Sequence, residues 1–172
     1  FRDVAAWRFS EYGVVTCTGR CCGKALDGGH TTSNLVKKRR GGIGSWLDNV
    51  NLFANFKFCL VMEHEYDHSA YVTEKVLMAF IAGCLPIYHG PTDLIFDIFN
   101  PEAFIFYNVS NPQTSLDLVK SLASDEVAYD RIQQQPILAN GEATINKYFS
   151  FSDKVGDGSL RRKIRRFLFV KS

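Results

Sequence analysis

An α/β fold built on an open parallel sheet is the class this sequence predicts. Three adjoining segments carry the prediction. "FKFCLVME" (residues 56–63) is a short apolar run, suited to a strand buried on both faces. "TEKVLMAFIAG" (73–83) places Val76, Leu77, Phe80 and Ile81 on one helical face. "CLPIYHG" (84–90) is a second apolar run, closed by Gly90-Pro91. Strand, loop, helix, strand is a βαβ unit, whose crossover makes its two strands parallel. Within the helix, Thr73 is the expected N-cap and Gly83 the C-terminal stop.

The flanking elements follow in order. Residues 2–11 read as a helix ended by Gly13, and "VVTC" (14–17) as a short strand. Residues 19–44 hold seven glycines and read as a long loop. Residues 45–53 read as a short helix. After the turn at Asn100-Pro101, "AFIFYNV" (103–109) reads as a third strand. Ser115 is the expected cap of a helix through Leu118, Val119 and Leu122, and another helix is expected from Ser124 to Gln134. Leu160, Ile164, Phe167 and Leu168 form an apolar stripe opposite arginines, an amphipathic helix packing against the body.

The 172 residues suffice for one domain with its own core. A net charge of +2 gives no reason to expect a nucleic-acid partner. The clusters Lys37–Arg40 and Arg161–Arg166 read as solvated faces. No run of 18 apolar residues is present for a transmembrane helix. The chain opens on Phe1 and reads as a piece of a longer protein, with any membrane anchor in an upstream segment. Of the five cysteines, Cys59 and Cys84 lie in apolar runs and are expected as buried thiols. Cys17, Cys21 and Cys22 cluster near a glycine-rich turn; no second pair follows at zinc-ribbon spacing, and a disulfide is open to them. Asn108-Val109-Ser110 is a glycosylation sequon, relevant to a secretory chain.

Two readings compete for "MEHEYDHSAYVTEK" (62–75). His64-Glu65-Tyr66-Asp67-His68 spells the H-E-x-x-H of zinc hydrolases, which places both histidines on one helix face with Glu65 as base. Three points oppose it. Leu60–Met62 continue a β-like run, Asp67 puts a charge inside the motif, and Tyr71 stands where a turn toward a third ligand at Glu74 needs glycine. The other reading places these residues at the C-terminal end of a parallel strand, where open α/β sheets bind ligands. The next helix then starts there with unpaired N–H groups and a positive dipole end, a seat for a diphosphate. Lys75 in its first turn repels the dipole, and an anion between them offsets that repulsion. Glu74 suits the dipole and accepts hydroxyl hydrogen bonds; Tyr71 donates or stacks.

These segments resemble the α1,3-fucosyltransferases, glycosyltransferase family 10. "FKFCLVME", then "AYVTEKVLMAFIAGCLPIYHGP", is similar to that family's strand, Y-[VI]-T-E-K motif, helix and [IV]-P-[IV]-x-x-G turn. "FNPEAFIFYNV" and "FRDVAAWRFSEYGVVTCTGRC" are similar to its downstream and upstream segments, so the resemblance spans residues 2–140. It implies a single Rossmann-like domain over 1–172, the C-terminal, donor-binding half of a two-domain GT-B glycosyltransferase. It implies binding of GDP-β-L-fucose and inverting transfer of fucose to a glycan or glycoprotein hydroxyl, in the lumen of the Golgi membrane for a eukaryotic chain. Arg2 and Lys75 then stabilise the leaving diphosphate, and Arg2, His64, Tyr71, Glu74 and Lys75 contact the donor. No cofactor and no metal is expected. The general base and the acceptor surface belong to an absent N-terminal half, so the fragment is expected to be inactive alone. His64 departs from the family's asparagine, which keeps a catalytically degenerate nucleotide-sugar-binding module as an alternative, beside the zinc metallohydrolase.

Overall fold

The computed structural model describes residues 2–17, 35–37, 46–63 and 71–149. Helix α1 (Arg2–Ser10) leads to β1 (Val15–Cys17), which pairs in parallel with β2 (Leu35–Lys37). Helix α2 (Trp46–Phe53) leads to β3 (Phe58–Met62), followed by α3 (Glu74–Ile81), β4 (Leu85–His89), α4 (Thr92–Ile98) and β5 (Ile105–Phe106). Helices α5 (Gln113–Ser124), α6 (Glu126–Gln133) and α7 (Glu142–Thr144) follow, α7 running into a π-helical turn at Ile145–Phe149.

The main sheet has strand order β3-β4-β5 and is parallel throughout, as the βαβ reading requires. Its pleat sorts the side chains onto two faces. Met62, Leu85, Ile87, Ile105 and Tyr107 face one layer with Ala5 and Phe9 of α1, Leu116 and Val119 of α5 and Tyr129 of α6. Cys59, Val61 and Tyr88 face the other, with Val76 and Ala79 of α3 and Ile95 and Ile98 of α4. Burial on both faces explains why β3 and β4 are nearly continuous apolar runs instead of alternating ones.

Helix α3 ends as the sequence predicts. Gly83 has φ +70°; its N–H bonds Phe80 O and that of Cys84 bonds Ala79 O, a Schellman stop that turns the chain into β4. Other expectations need correcting. Cys59 and Cys84 are not thiols but a disulfide, their Cα atoms 5.9 Å apart. The parallel register puts Pro86 opposite Cys59, which brings Cys84, two residues back on the same face, within bridging reach. The long loop of residues 19–44 contains β2, whose Leu35-Val36 step is too short to show a period among glycines and cations. Ser115 is not a cap: α5 starts after Pro112, and the Ser115 hydroxyl donates to Pro112 O from inside the first turn. Helix α4 was not anticipated, because only seven residues separate Pro91 from Phe99. Helix α6 is capped by Asp125, which accepts from Ala128 N–H, so it begins two residues later than expected. The expected helix over Leu160–Leu168 lies outside the described residues.

Candidate functional site

Past the C-terminal edge of β3, Thr73, Glu74 and Lys75, singled out by the sequence, open α3 beside Glu63. Glu63 is the first residue past β3. Its N–H donates to His89 O at 2.9 Å, which continues the ladder for one more step. The pleat therefore aims Glu63 at the face that carries Cys59 and Val61, toward the start of α3. Its side chain is fully buried, at 0% exposure. A buried carboxylate needs partners, and these are Thr73 and Lys75. Thr73 N–H donates to Glu63 Oε1 at 2.8 Å, and Thr73 Oγ1 reaches both carboxylate oxygens, at 2.8 and 2.9 Å. Lys75 Nζ donates to Thr73 Oγ1 at 2.7 Å and to Glu63 Oε2 at 3.3 Å. The threonine hydroxyl thus accepts from the ammonium and donates to the carboxylate.

The magnitudes rank these partners. Hydrogen bonds to a charged group contribute about 1.5–3 kcal/mol each. The Lys75 side chain is 41% exposed, so its pairing with Glu63 is screened and contributes about 1 kcal/mol or less. Thr73 holds the carboxylate, and Lys75 is held through Thr73. This revises the expected role of Thr73. It occupies the N-cap position in extended conformation, φ −109° and ψ 175°, but makes no side-chain cap bond. Its hydroxyl is committed to Glu63, which leaves the first turn of α3 without a side-chain cap. The anion expected between Lys75 and the helix start is, in part, the protein's own Glu63.

Beneath this cluster lies Tyr88, fully buried, its hydroxyl without a partner among the described residues. Burial first, and the Glu63 charge second, push its phenol well above the ordinary range, so it stays neutral. Gly90 passes close over the ring. A Cβ there would press into Tyr88 Oη and stand 3.0 Å from Glu63 Cγ, so the turn that ends β4 admits no side chain.

Four of the five sequence-predicted donor contacts, Arg2, Tyr71, Glu74 and Lys75, lie among the described residues. Glu74 opens α3 and is exposed; Tyr71 and Lys75 are half-buried beside it. Arg2 opens α1 and is half-buried, and α1 packs on the sheet face opposite α3. The two cations are therefore carried by helices on different faces of the sheet. His64 and His68 lie outside the described residues. Because β3 extends to Met62 and α3 begins only at Glu74, residues 57–82 are not one continuous helix. Sequence reasoning missed Glu63, the Thr73 hydroxyl and Tyr88. The available signal was equivocal: a carboxylate directly after a strand apolar on both faces needs a buried partner only where the pleat turns it inward, and Thr73 and Lys75 follow within 12 residues.

The fold is an open parallel α/β sheet with a carboxylate, a threonine and a lysine joined at its C-terminal edge. Residues 6–134 match the family described as Glycosyltransferase family 10 (fucosyltransferase) C-term, and the chain belongs to that family. It is 31% identical over 116 residues to the alpha-(1,3)-fucosyltransferase FucT of Helicobacter pylori, covering 65% of this chain and 24% of that protein. It is 25% identical over 145 residues to a protein of Acanthamoeba polyphaga mimivirus named as a fucosyltransferase, covering 82% of this chain and 23% of the relative. The chain thus spans about a quarter of the length of the curated relatives it matches. A crystal structure of an alpha1,3-fucosyltransferase superposes with a TM-score of 0.55 at 23% identity, over 78% of this chain and 33% of that one, which bears out the fold.

Proposed function

We propose that this chain is the donor half of an inverting fucosyltransferase of GT-B architecture, seating GDP-β-L-fucose at the C-terminal edge of β3 and β4. The observation that carries the reading is the state of Lys75. Thr73 and Glu63 engage its ammonium from the protein side, while the side chain stays 41% exposed. An ammonium has three N–H donors, so one remains to point outward at the start of α3. There it meets a diphosphate together with the unpaired backbone N–H groups of the helix. Membership of a fucosyltransferase family supports the identity of the donor sugar.

In this proposal the acceptor hydroxyl attacks the anomeric carbon of fucose, the carbon–phosphate-oxygen bond breaks, and GDP leaves with the bonding pair. Lys75, and Arg2 from the opposite helix layer, stabilise the charge gathering on the diphosphate. Tyr71, Glu74 and His64 contact the nucleotide sugar. No metal is needed for this role. The acceptor is a glycan or glycoprotein, bound by an N-terminal half that also supplies the general base, and the chain alone transfers nothing. For a eukaryotic chain the compartment is the Golgi lumen; the Cys59–Cys84 disulfide supports an oxidising compartment.

Calorimetric titration tests the donor site. The chain is expected to bind GDP and GDP-fucose more tightly than UDP-galactose. Lys75→Ala is expected to weaken GDP about 10- to 100-fold, the loss of one charge-assisted bond of about 1.5–3 kcal/mol. EDTA is expected to leave the affinity unchanged. Unaltered GDP binding by the alanine variant removes Lys75 from the site.

A further inference from the structure

We propose that Asn108 is an N-glycosylation site, in the turn that carries the chain from β5 to α5. Two independent observations meet there. The first is the acceptor itself. Asn108, Val109 and Ser110 form a sequon, and all three residues are exposed. Asn108 Oδ1 accepts from Ser110 N–H at 2.9 Å, and more weakly from Asn111 N–H at 3.4 Å. Its side-chain oxygen is thereby turned to the backbone, and Nδ2, the atom that is glycosylated, has no partner among the described residues. A bulky, hydrated substituent fits such a surface turn, since nothing packed has to move.

The second observation is the redox state of the cysteines. Cys17, Cys59 and Cys84 are the cysteines among the described residues, and all three are disulfide-bonded. Cys59 and Cys84 are each at least 95% buried, inside the layer between the sheet and α3. An internal bridge of this kind belongs to a chain that folds in an oxidising compartment, which is also where sequons are read. The proposal rests on the lumenal compartment put forward above, and not on the identity of the donor.

In the reaction, Asn108 Nδ2 forms a bond to the anomeric carbon of an oligosaccharide held as a polyprenyl diphosphate. The glycosyl–oxygen bond breaks, the lipid diphosphate leaves with its electron pair, and Nδ2 gives up one proton.

The test uses the full-length protein expressed in a eukaryotic cell, read by electrophoresis with and without peptide N-glycosidase and by mass spectrometry of the Asn108 peptide. The wild type is expected to shift on enzyme treatment and to yield Asp at position 108. Ser110→Ala is expected to abolish modification at this site while keeping the turn, because only the Ser110 backbone N–H takes part in it. Ser110→Thr is expected to restore it. Thiol labelling of Cys59 and Cys84 separates the two ways of failing. An unmodified Asn108 in a chain with the bridge formed overturns the glycosylation site alone. An unmodified Asn108 in a chain with free thiols overturns the lumenal reading with it. Neither result touches the GDP titration.

Discussion

Replacing Glu63 with glutamine keeps shape and volume but removes the charge and one of the two acceptor oxygens. Both oxygens of the native side chain are in use: Oε1 accepts from Thr73 N–H and its hydroxyl, Oε2 from the hydroxyl and Lys75. Glutamine keeps one acceptor and presents an NH2 to the ammonium, donor against donor. Each Thr73 bond falls from the charged class, about 1.5–3 kcal/mol, to the neutral class, about 0.5–1.5 kcal/mol. The exposed Lys75 pairing adds less than about 1 kcal/mol. The sum is about 2–3 kcal/mol. For a domain of this size each kcal/mol moves the midpoint about 2–4 °C, so Glu63→Gln should unfold roughly 5–10 °C lower. Circular dichroism on heating measures it, with the exposed Glu102→Gln as a control expected within about 0.5 kcal/mol of wild type. A Glu63→Gln midpoint indistinguishable from that control refutes the arrangement of carboxylate, threonine and lysine.

Tyr88→Phe removes a buried hydroxyl without a partner among the described residues and should stabilise the chain by about 1 kcal/mol; a loss in chemical denaturation would mean the hydroxyl has a partner. Gly90→Ala drives a methyl into Tyr88 Oη and should cost about 1–3 kcal/mol. Combined with Tyr88→Phe the cost should shrink, and strict additivity in the double-mutant cycle would count against the contact. The Cys59–Cys84 bridge joins residues 25 apart, so its loss in a Cys59→Ala, Cys84→Ala chain should cost about 3 kcal/mol, seen as a lower urea midpoint. Asp97 accepts from Lys147 and Tyr148, and these bonds, Lys147 first, hold its carboxyl below the ordinary 3.8. A depressed carboxyl stabilises above its unfolded value and loses that contribution as pH falls through its folded one. The protection factors of amides 145–149, the intrinsic exchange rate divided by the observed rate at each pH, should accordingly fall only on acidification below 3.8 and stay level between about pH 5 and 8.

The βαβ unit was legible because each of its signals is local. An apolar run, a helical period and Gly83 read the same from sequence as in space. The site was half legible. Lys75 and Glu74 announce themselves by their position at a helix start after a buried strand. Glu63 does not, because a carboxylate after an apolar run is equally the first residue of a solvated loop. Only the pleat, which sends it to the face of Cys59 and Val61, makes it internal. The bridge between Cys59 and Cys84 depends on the register of two strands, and register is a long-range property. Strand β2 and helix α4 were lost for the opposite reason: three and seven residues are too few for a period to register.

The bridge has a topological corollary. It ties the last residue before β4 to the second residue of β3, so everything between belongs to a covalent ring. That ring includes Thr73, Glu74, Lys75 and the stretch bearing His64. A single protease cut anywhere in residues 60–83 leaves amino- and carboxyl-terminal pieces on one molecule. They separate on a denaturing gel only after a reductant is added.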